Sequence, residues 1–196
     1  MCIRPDITDK LVHFTNGDTE ELAFERLLQI IDEQRLIGSG TKIRGNFKCV
    51  CFSEAPLTSL QNGLVNPSAY SRYLPFGILF EKRWIFEQGG RPVIYEPDDE
   101  FGLLPETLRW RHVRYEPGTI DFTWEREWRI HCDELHFTPD VACIVVPLKS
   151  WADALIDNHM AGQNVKIYQY SQIMDELLAQ QYYDDFPWRI FVLRQV

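Results

Sequence analysis

The chain has 196 residues and a net charge of −9, with 20 Lys and Arg against 29 Asp and Glu. That length supports one sizeable core and is short for two, so residues 1–196 are read as a single domain. The acidic balance (pI near 5.0) argues against a broad polyanion-binding surface, because affinity for phosphate backbones comes mainly from Lys and Arg displacing counterions.

In chain order, Lys10 to Thr15 (KLVHFT) reads as a short strand. Leu11, His13 and Thr15 fall on one face, Val12 and Phe14 on the other. Asp18 with Glu21 three residues on is a capping pair opening a helix. Phe24, Leu27, Leu28 and Ile31 recur at helical spacing and mark its buried face, and Gly38-Ser39-Gly40 stops it. Lys48 to Ser53 (KCVCFS) reads as a buried strand before a Pro-containing turn. Tyr70 to Leu74 reads as a helical turn. Phe76 to Phe80 is a strand whose Gly77 permits close backbone approach, and Pro92 to Tyr95 is another. Glu106 to Tyr115 is ambiguous between helix and strand, with helix favoured.

Thr123 to His131 (TWEREWRIH) alternates without interruption and is expected to be one strand. It sets Glu125, Glu127, Arg129 and His131 on one face and Trp124, Arg126, Trp128 and Ile130 on the other. Val141 to Val146 is a fully apolar strand ended by Pro147. The remainder reads as a helix, a strand (Val165 to Tyr168), a second helix (Gln172 to Ala179) and a closing strand (Arg189 to Leu193). Short strands and few helices in irregular order give an α+β fold rather than a doubly wound sheet.

Cys2, Cys49, Cys51, Cys132 and Cys143 make an odd count of five. With no apolar leader in MCIRPDITDK, free thiols in a cytoplasmic protein are expected. Cys49-x-Cys51 has the wrong spacing for a zinc knuckle. No apolar run approaches the roughly 18 residues a membrane helix needs, so no membrane partner is expected. Arg109, Arg111 and Arg114 cluster closely enough in sequence to edge a local groove for a single strand of nucleic acid. G-x-S-x-G, P-loop, G-x-G-x-x-G and H-E-x-x-H signatures are all absent, so the chemistries that use them lack support.

The Glu125-x-Glu127-x-Arg129 row is the densest candidate site. Same-face neighbours on a strand lie about 7 Å apart, so both acids could address one ligand. The bland alternative is a solvated face of paired charges. His13 is ordinarily read as a hydrogen-bonded core residue, Ser53 as a turn cap or a ligand-orienting hydroxyl, and Tyr70 and Tyr73 as packing residues.

The order of these residues carries a resemblance. A His on the first strand, a helix with a Gly stop, mid-chain aromatics and a Glu opening a late strand resemble the ADP-ribosyltransferase superfamily. There a His (or Arg), an aromatic or Ser, and a Glu come from three strands and hold NAD in a cleft between two small sheets. The first forty residues look most like the DarT-type and RNA 2′-phosphotransferase-like branches. Residues 13 to 95 carry a second resemblance, to bacterial abortive-infection proteins of the AbiGi type. It rests on His13-Phe14-Thr15, Cys51-Phe52-Ser53-Glu54-Ala55-Pro56-Leu57, Tyr73 with Phe76-Gly77-Ile78, and Arg91-Pro92-Val93-Ile94-Tyr95. Here Tyr70-Ser71-Arg72-Tyr73 stands where the superfamily has Ser-Thr-Ser.

The superfamily resemblance implies short mixed or antiparallel sheets forming a cleft, with NAD as substrate. His13 would hold a ribose hydroxyl, with Thr15 and Ser53 in the same binding set. Tyr73, or Tyr70, would stack near the nicotinamide. Glu127 would be catalytic, with Glu125 orienting or deprotonating the acceptor, and Arg129 would pair with the acids or meet a phosphate. The acceptor would be a protein, a nucleic acid or water. The abortive-infection likeness implies antiphage or toxin-type activity. It equally suits an inactive, antitoxin-like binding module with a cognate partner protein. A carboxylate-bound Mg²⁺ enzyme acting on nucleic acid is the third reading, and no third acid at suitable spacing supports it.

Overall fold

Lys10–Phe14 forms β1, buried on both faces at Leu11 and Val12, and its neighbour in space comes from the middle of the chain. The computed structural model describes residues 7–15, 17–55 and 74–193. Tyr70 and Tyr73, with the turn expected there, lie outside the described residues. Strand β1 pairs antiparallel with β4 (Gly77–Glu81), β4 pairs antiparallel with β10 (Ala142–Val146), and β10 runs parallel to β11 (Arg189–Val192). One face of this four-stranded sheet carries Leu11, Ile78, Phe80, Ile144 and Val146. These pack against Ala23, Phe24 and Leu27 of helix α1 (Glu20–Glu33) and Ala152 and Leu155 of α3 (Lys149–Ser171). Each of the Leu, Ile, Val and Phe side chains contributes about 1.5–3 kcal/mol on leaving water. Val12, Phe14, Leu79 and Val145 form a smaller cluster on the opposite face.

A second sheet, β3 (Cys49–Phe52), β8 (Trp128–His131) and β5 (Arg91–Pro92), is antiparallel throughout. It turns Val50, Phe52 and Ile130 into the main core. Cys49, Cys51 and Arg129 therefore lie on the opposite side, as a period of two requires. Two small pairs complete the fold: β2 (Arg35–Ile37) with β9 (Glu134–His136), and β6 (Ile94–Glu96) parallel to β7 (His112–Arg114). Helix α2 (Lys82–Glu87) follows β4, and α4 (Glu176–Gln180) follows α3. The chain is thus α+β with small mixed sheets, and no described helix is long and apolar enough to cross a membrane.

Several expected elements are corrected. The N-cap of α1 is Thr19, whose Oγ1 accepts from the Leu22 amide at 3.3 Å, one residue later than the Asp18 pairing predicts. The helix ends on Gln34 in the left-handed region (φ 50°), and β2 intervenes before Gly38. Glu106–Arg111 is a 3-10 helix followed by β7, so that segment is part helix and part strand. Val165 to Tyr168 is the interior of α3, not a strand. The second helix is shorter than expected and begins at Glu176, with Asp175 as its side-chain cap.

The largest correction falls on Thr123 to His131. Thr123–Glu125 is a 3-10 turn and Arg126 takes a left-handed conformation (φ 46°), so the strand starts at Trp128. Period-two alternation signals a strand only where the backbone stays extended.

Gly77 is required by packing. A Cβ built there would collide with the carbonyl oxygen of His13 and crowd Phe14 Cα at 3.2 Å. Gly77→Val is expected to destabilise by about 1–3 kcal/mol through forced separation of β1 and β4. Gly102→Ala, which meets nothing within 4 Å, should stay within about 0.5 kcal/mol in the same urea titration.

Candidate active site

Among the described residues, one backbone pair hydrogen-bonds the two sheets to each other. Val12 and Ser53 exchange amide–carbonyl bonds of 3.0 and 2.8 Å, which binds the end of β3 to β1. His13 is thereby placed over β3, and its Nδ1–H donates to the Cys51 carbonyl at 2.8 Å. A carbonyl can only accept, so this contact fixes the tautomer and leaves Nε2 as an acceptor. The ring stands edge-on to Phe52, with centroids 6.0 Å apart. Although it keeps some exposure to the cavity, its surroundings desolvate it. Burial lowers its pKa, opposed in part by the Cys51 carbonyl.

Ser53 acts mainly as a latch. Its Oγ donates to the Glu125 carbonyl at 3.0 Å and accepts from the Ala55 amide at 3.2 Å. The Glu54 amide also donates to the Glu125 carbonyl, at 3.0 Å. Glu125 is thus delivered by its backbone to the end of β3, and its residue is buried.

Glu127 is fixed from both ends. Its amide donates to the Tyr95 hydroxyl at 3.0 Å, which itself donates to the Phe122 carbonyl at 3.3 Å. Its carboxylate receives Arg129 Nε on Oε1 at 2.8 Å and Nη2 on Oε2 at 3.3 Å. The Cys51 side chain, directly opposite Arg129 across the β3–β8 pair, hydrogen-bonds to the same carboxylate. Arg129 Nη1 donates to the Trp110 and His112 carbonyls at 3.0 and 2.9 Å. Burial opposes the Arg129 charge, yet the Glu127 carboxylate holds its pKa above the ordinary value. Burial raises the thiol pKa of Cys51 far above its usual range, with Glu127 adding to the effect, and pushes Cys49 up to about 11. Burial likewise raises that of the Tyr95 phenol. None of these three groups is an anionic nucleophile near neutral pH, so the bases left to the cleft are Glu125, Glu127 and the imidazole of His13.

Two cavities meet on these acids. One, of about 370 Å³, is lined by His13, Lys42, Ser53, Glu125 and Glu127 among others. The other, of about 480 Å³, is lined by Lys42, Arg44, Arg114, Phe122, Glu125 and Glu127 among others. Lys42, Ile43, Cys51, Glu125 and Glu127 border both. Each volume falls in the range of small-molecule sites, about 300–1,000 Å³.

The structure therefore brings His13, Ser53, Glu125 and Glu127 together, through a turn and a latch rather than one strand face. Thr15 is not among the cavity residues. Its buried hydroxyl donates to the Ala23 and Phe76 carbonyls (3.1 and 3.2 Å) and ties β1 to α1 and β4. Arg129 sits behind Glu127 on the wall of the second cavity, with four of its five N–H donors engaged by Glu127 and the Trp110 and His112 carbonyls. The arginine cluster is also committed locally: Arg109 to the Leu104 carbonyl, Arg111 to the Pro92 carbonyl, and Arg114 to Glu116. Lys42 and Tyr95 are additions that sequence reasoning missed. Neither carries a local signal, because both are placed by distant segments. The described residues contain no group of three or more His, Cys, Asp or Glu able to hold a metal. No family model, no curated protein and no solved structure matches the chain.

Arg129→Met would leave the Glu127 charge buried and unpaired, at an expected cost of about 3–5 kcal/mol in urea denaturation. Adding Glu127→Gln should recover much of that loss, because the orphaned charge is then gone. A second expectation concerns pH. The folded chain disfavours protonated His13, whereas the unfolded chain takes up a proton near the ordinary value of 6.5. This group's share of stability is therefore full above pH 6.5 and declines as pH falls below it. The wild type should lose stability between pH 7 and 5 faster than His13→Asn, as read from thermal midpoints in parallel.

Proposed function

We propose that the chain is an NAD-dependent ADP-ribosyltransferase-like enzyme, or an NAD glycohydrolase, with its reaction centre at Glu125 and Glu127. The observation that carries this reading is the convergence of His13 with both acids on one cavity of about 370 Å³. These residues arrive from separate segments in the order the sequence resemblance requires. His13 Nε2, left as an acceptor, suits a ribose hydroxyl. The bond between ribose C1′ and the nicotinamide nitrogen breaks, and its electron pair leaves with neutral nicotinamide. Positive charge then develops at C1′ and the ring oxygen, where a fixed carboxylate stabilises it.

Glu127 is the better-held acid for that task. A carboxylate offers about four acceptor positions, so the bonds from Arg129 and Cys51 leave capacity for a ribose 2′-hydroxyl. Glu125, on the wall shared with the second cavity, takes the proton of an acceptor nucleophile as that nucleophile bonds to C1′. Arg129 serves as the positioning residue of Glu127. Lys42, bordering both cavities, is the cation placed for a diphosphate. A place in bacterial antiphage defence or toxin action rests on the abortive-infection resemblance over residues 13 to 95.

One observation favours a second reading, an inactive binding or antitoxin-like module with a cognate partner protein. The tight pairing of Glu127 with Arg129 is also how a purely structural carboxylate is held.

The two readings separate in an assay of nicotinamide release from NAD, with and without cell lysate. The expected result is release that falls about 10²–10³-fold in Glu127→Gln, the loss typical of removing one electrostatic stabiliser. Rates are normalised to folded protein, since that variant also uncovers the Arg129 charge. A smaller, acceptor-dependent loss is expected for Glu125→Gln. Absence of release together with absence of any NAD-induced thermal stabilisation would overturn the enzymatic reading in favour of the binding module.

A further inference from the structure

The turn that carries both acids is closed by one hydroxyl group. It runs through the 3-10 segment Thr123–Glu125 and the left-handed Arg126 (φ 46°). Within it, the Phe122 carbonyl accepts from the Glu125 amide at 3.0 Å and the Thr123 carbonyl from the Arg126 amide at 3.1 Å. Neither bond reaches Glu127. The Tyr95 hydroxyl makes that connection, accepting from the Glu127 amide at 3.0 Å and donating to the Phe122 carbonyl at 3.3 Å. It therefore meets the Glu127 amide directly and the Glu125 amide through one shared carbonyl. Burial raises the phenol pKa, so the group keeps its proton at neutral pH and fills both roles.

A left-handed residue other than Gly persists only where its surroundings determine it, and Arg126 stands between the two acids. On one side, the Ser53 hydroxyl and the Glu54 amide hold the Glu125 carbonyl at the end of β3. On the other, the Val93 amide donates to the Glu127 carbonyl at 3.0 Å, and Tyr95 of β6 takes the Glu127 amide. The Glu127 side chain is mounted on the same β6–β7 pair, because Arg129 donates to the Trp110 and His112 carbonyls where the chain enters β7. Glu125 thus belongs to β3 and Glu127 to β6–β7, and the Tyr95 oxygen joins the two mounts. Tyr95 is not among the residues lining either cavity, so it reaches a ligand only through the acids.

We infer that Tyr95 is a positioning residue whose hydroxyl sets the spacing of Glu125 and Glu127 on the wall shared by the two cavities. Its effect on rate rests on the NAD reading. Its effect on the placement of Glu127 does not, and Cys51 reports that placement without any ligand. The Cys51 thiol bonds to the Glu127 carboxylate, and burial, then the Glu127 charge, disfavours its thiolate, which is the form that alkylating reagents consume. Movement of Glu127 away from Cys51 therefore speeds alkylation.

Tyr95→Phe keeps the ring and removes only the oxygen, and two measurements on the full chain read the result. The first is nicotinamide release from NAD. Here kcat per folded protein should fall about tenfold or more, towards the roughly 10²-fold that a 1 Å misplacement can cause, while KM moves less than about threefold. Leu155→Ala, which thins the core under α3, should lower stability and leave both constants unchanged. The second is alkylation of Cys51 by iodoacetamide, resolved by mass spectrometry. Cys51 should react about threefold faster or more in Tyr95→Phe than in the wild type, yet no faster in Tyr95→Phe with Glu127→Gln than in Glu127→Gln alone. Unchanged Cys51 reactivity, an equal acceleration in both backgrounds, or an equal loss of kcat in Leu155→Ala would overturn the inference. A wild type that releases no nicotinamide would sink the NAD reading alone, since the Cys51 comparison still decides for or against Tyr95.

Discussion

The buried Arg129 guanidinium is the constraint on which the cleft depends. Taking a cation out of water costs several kcal/mol unless its donors are met, and here they are met by a carboxylate and two carbonyls. Those partners come from two places: Glu127 just before β8, and Trp110 and His112 where the 3-10 segment runs into β7. The ion therefore fixes the start of β8 relative to the β6–β7 pair. Its cross-strand neighbour Cys51 adds a further contact to Glu127. Removing the charge would loosen the acid and also the walls of the second cavity.

The other fixed point is the Val12–Ser53 pair. It connects a sheet that ends at β1 to a sheet that begins at β3, and it does so beside His13. Gly77 allows the close β1–β4 packing that holds His13 in register. The Ser53 hydroxyl carries the same junction on to Glu125. The His13 and Glu125 arms of the cavity are thus tied through one short stretch, Cys51 to Glu54. A side chain in that stretch acts on both arms, and this is why Ser53 functions as a latch even while it lines the cavity.

Much of this fold was legible because burial and periodicity agree where strands are regular. Lys10–Phe14, Cys49–Phe52 and Ala142–Val146 fall inside their expected spans, and Gly77–Glu81 overruns its expected span by one residue. The failures have a common cause in backbone conformations that tertiary contacts impose. Arg126 interrupts an uninterrupted alternation because Glu125 is held by Ser53 and Glu54, while Glu127 is held by Tyr95. Val165 to Tyr168 has strand-like residues, yet its neighbours Gln163, Lys166 and Tyr170 grip the Asp184 segment at helical spacing. Tertiary contact overrode propensity in both places. The pairing of Glu125 with Glu127 in one cleft was anticipated for the wrong reason. The participation of Lys42 and Tyr95 was not legible at all, since Lys42 reaches the cavity wall, and Tyr95 the Glu127 amide, only after segments distant in sequence have packed.

The charge layout also limits what the cleft can recognise. Its wall holds two carboxylates shared by both cavities, and the chain is acidic overall. Arg129 is spent on Glu127, and Arg44 and Arg114 are paired with Asp98 and Glu116. Lys42 is then the cation of the shared wall without an ion pair to another described residue. An exposed lysine meeting a ligand phosphate would add only about 0.2–1 kcal/mol and would weaken with salt. Phosphate recognition therefore has little to draw on, and ligand selection must come from hydrogen bonds and shape. The His13 acceptor nitrogen and the two carboxylates are acceptors arranged around one space, so they favour a ligand rich in hydroxyl donors. That preference is chemically a sugar preference, and under the proposed NAD reading it would set the ribose end of the dinucleotide, rather than its phosphates, at the centre of the site.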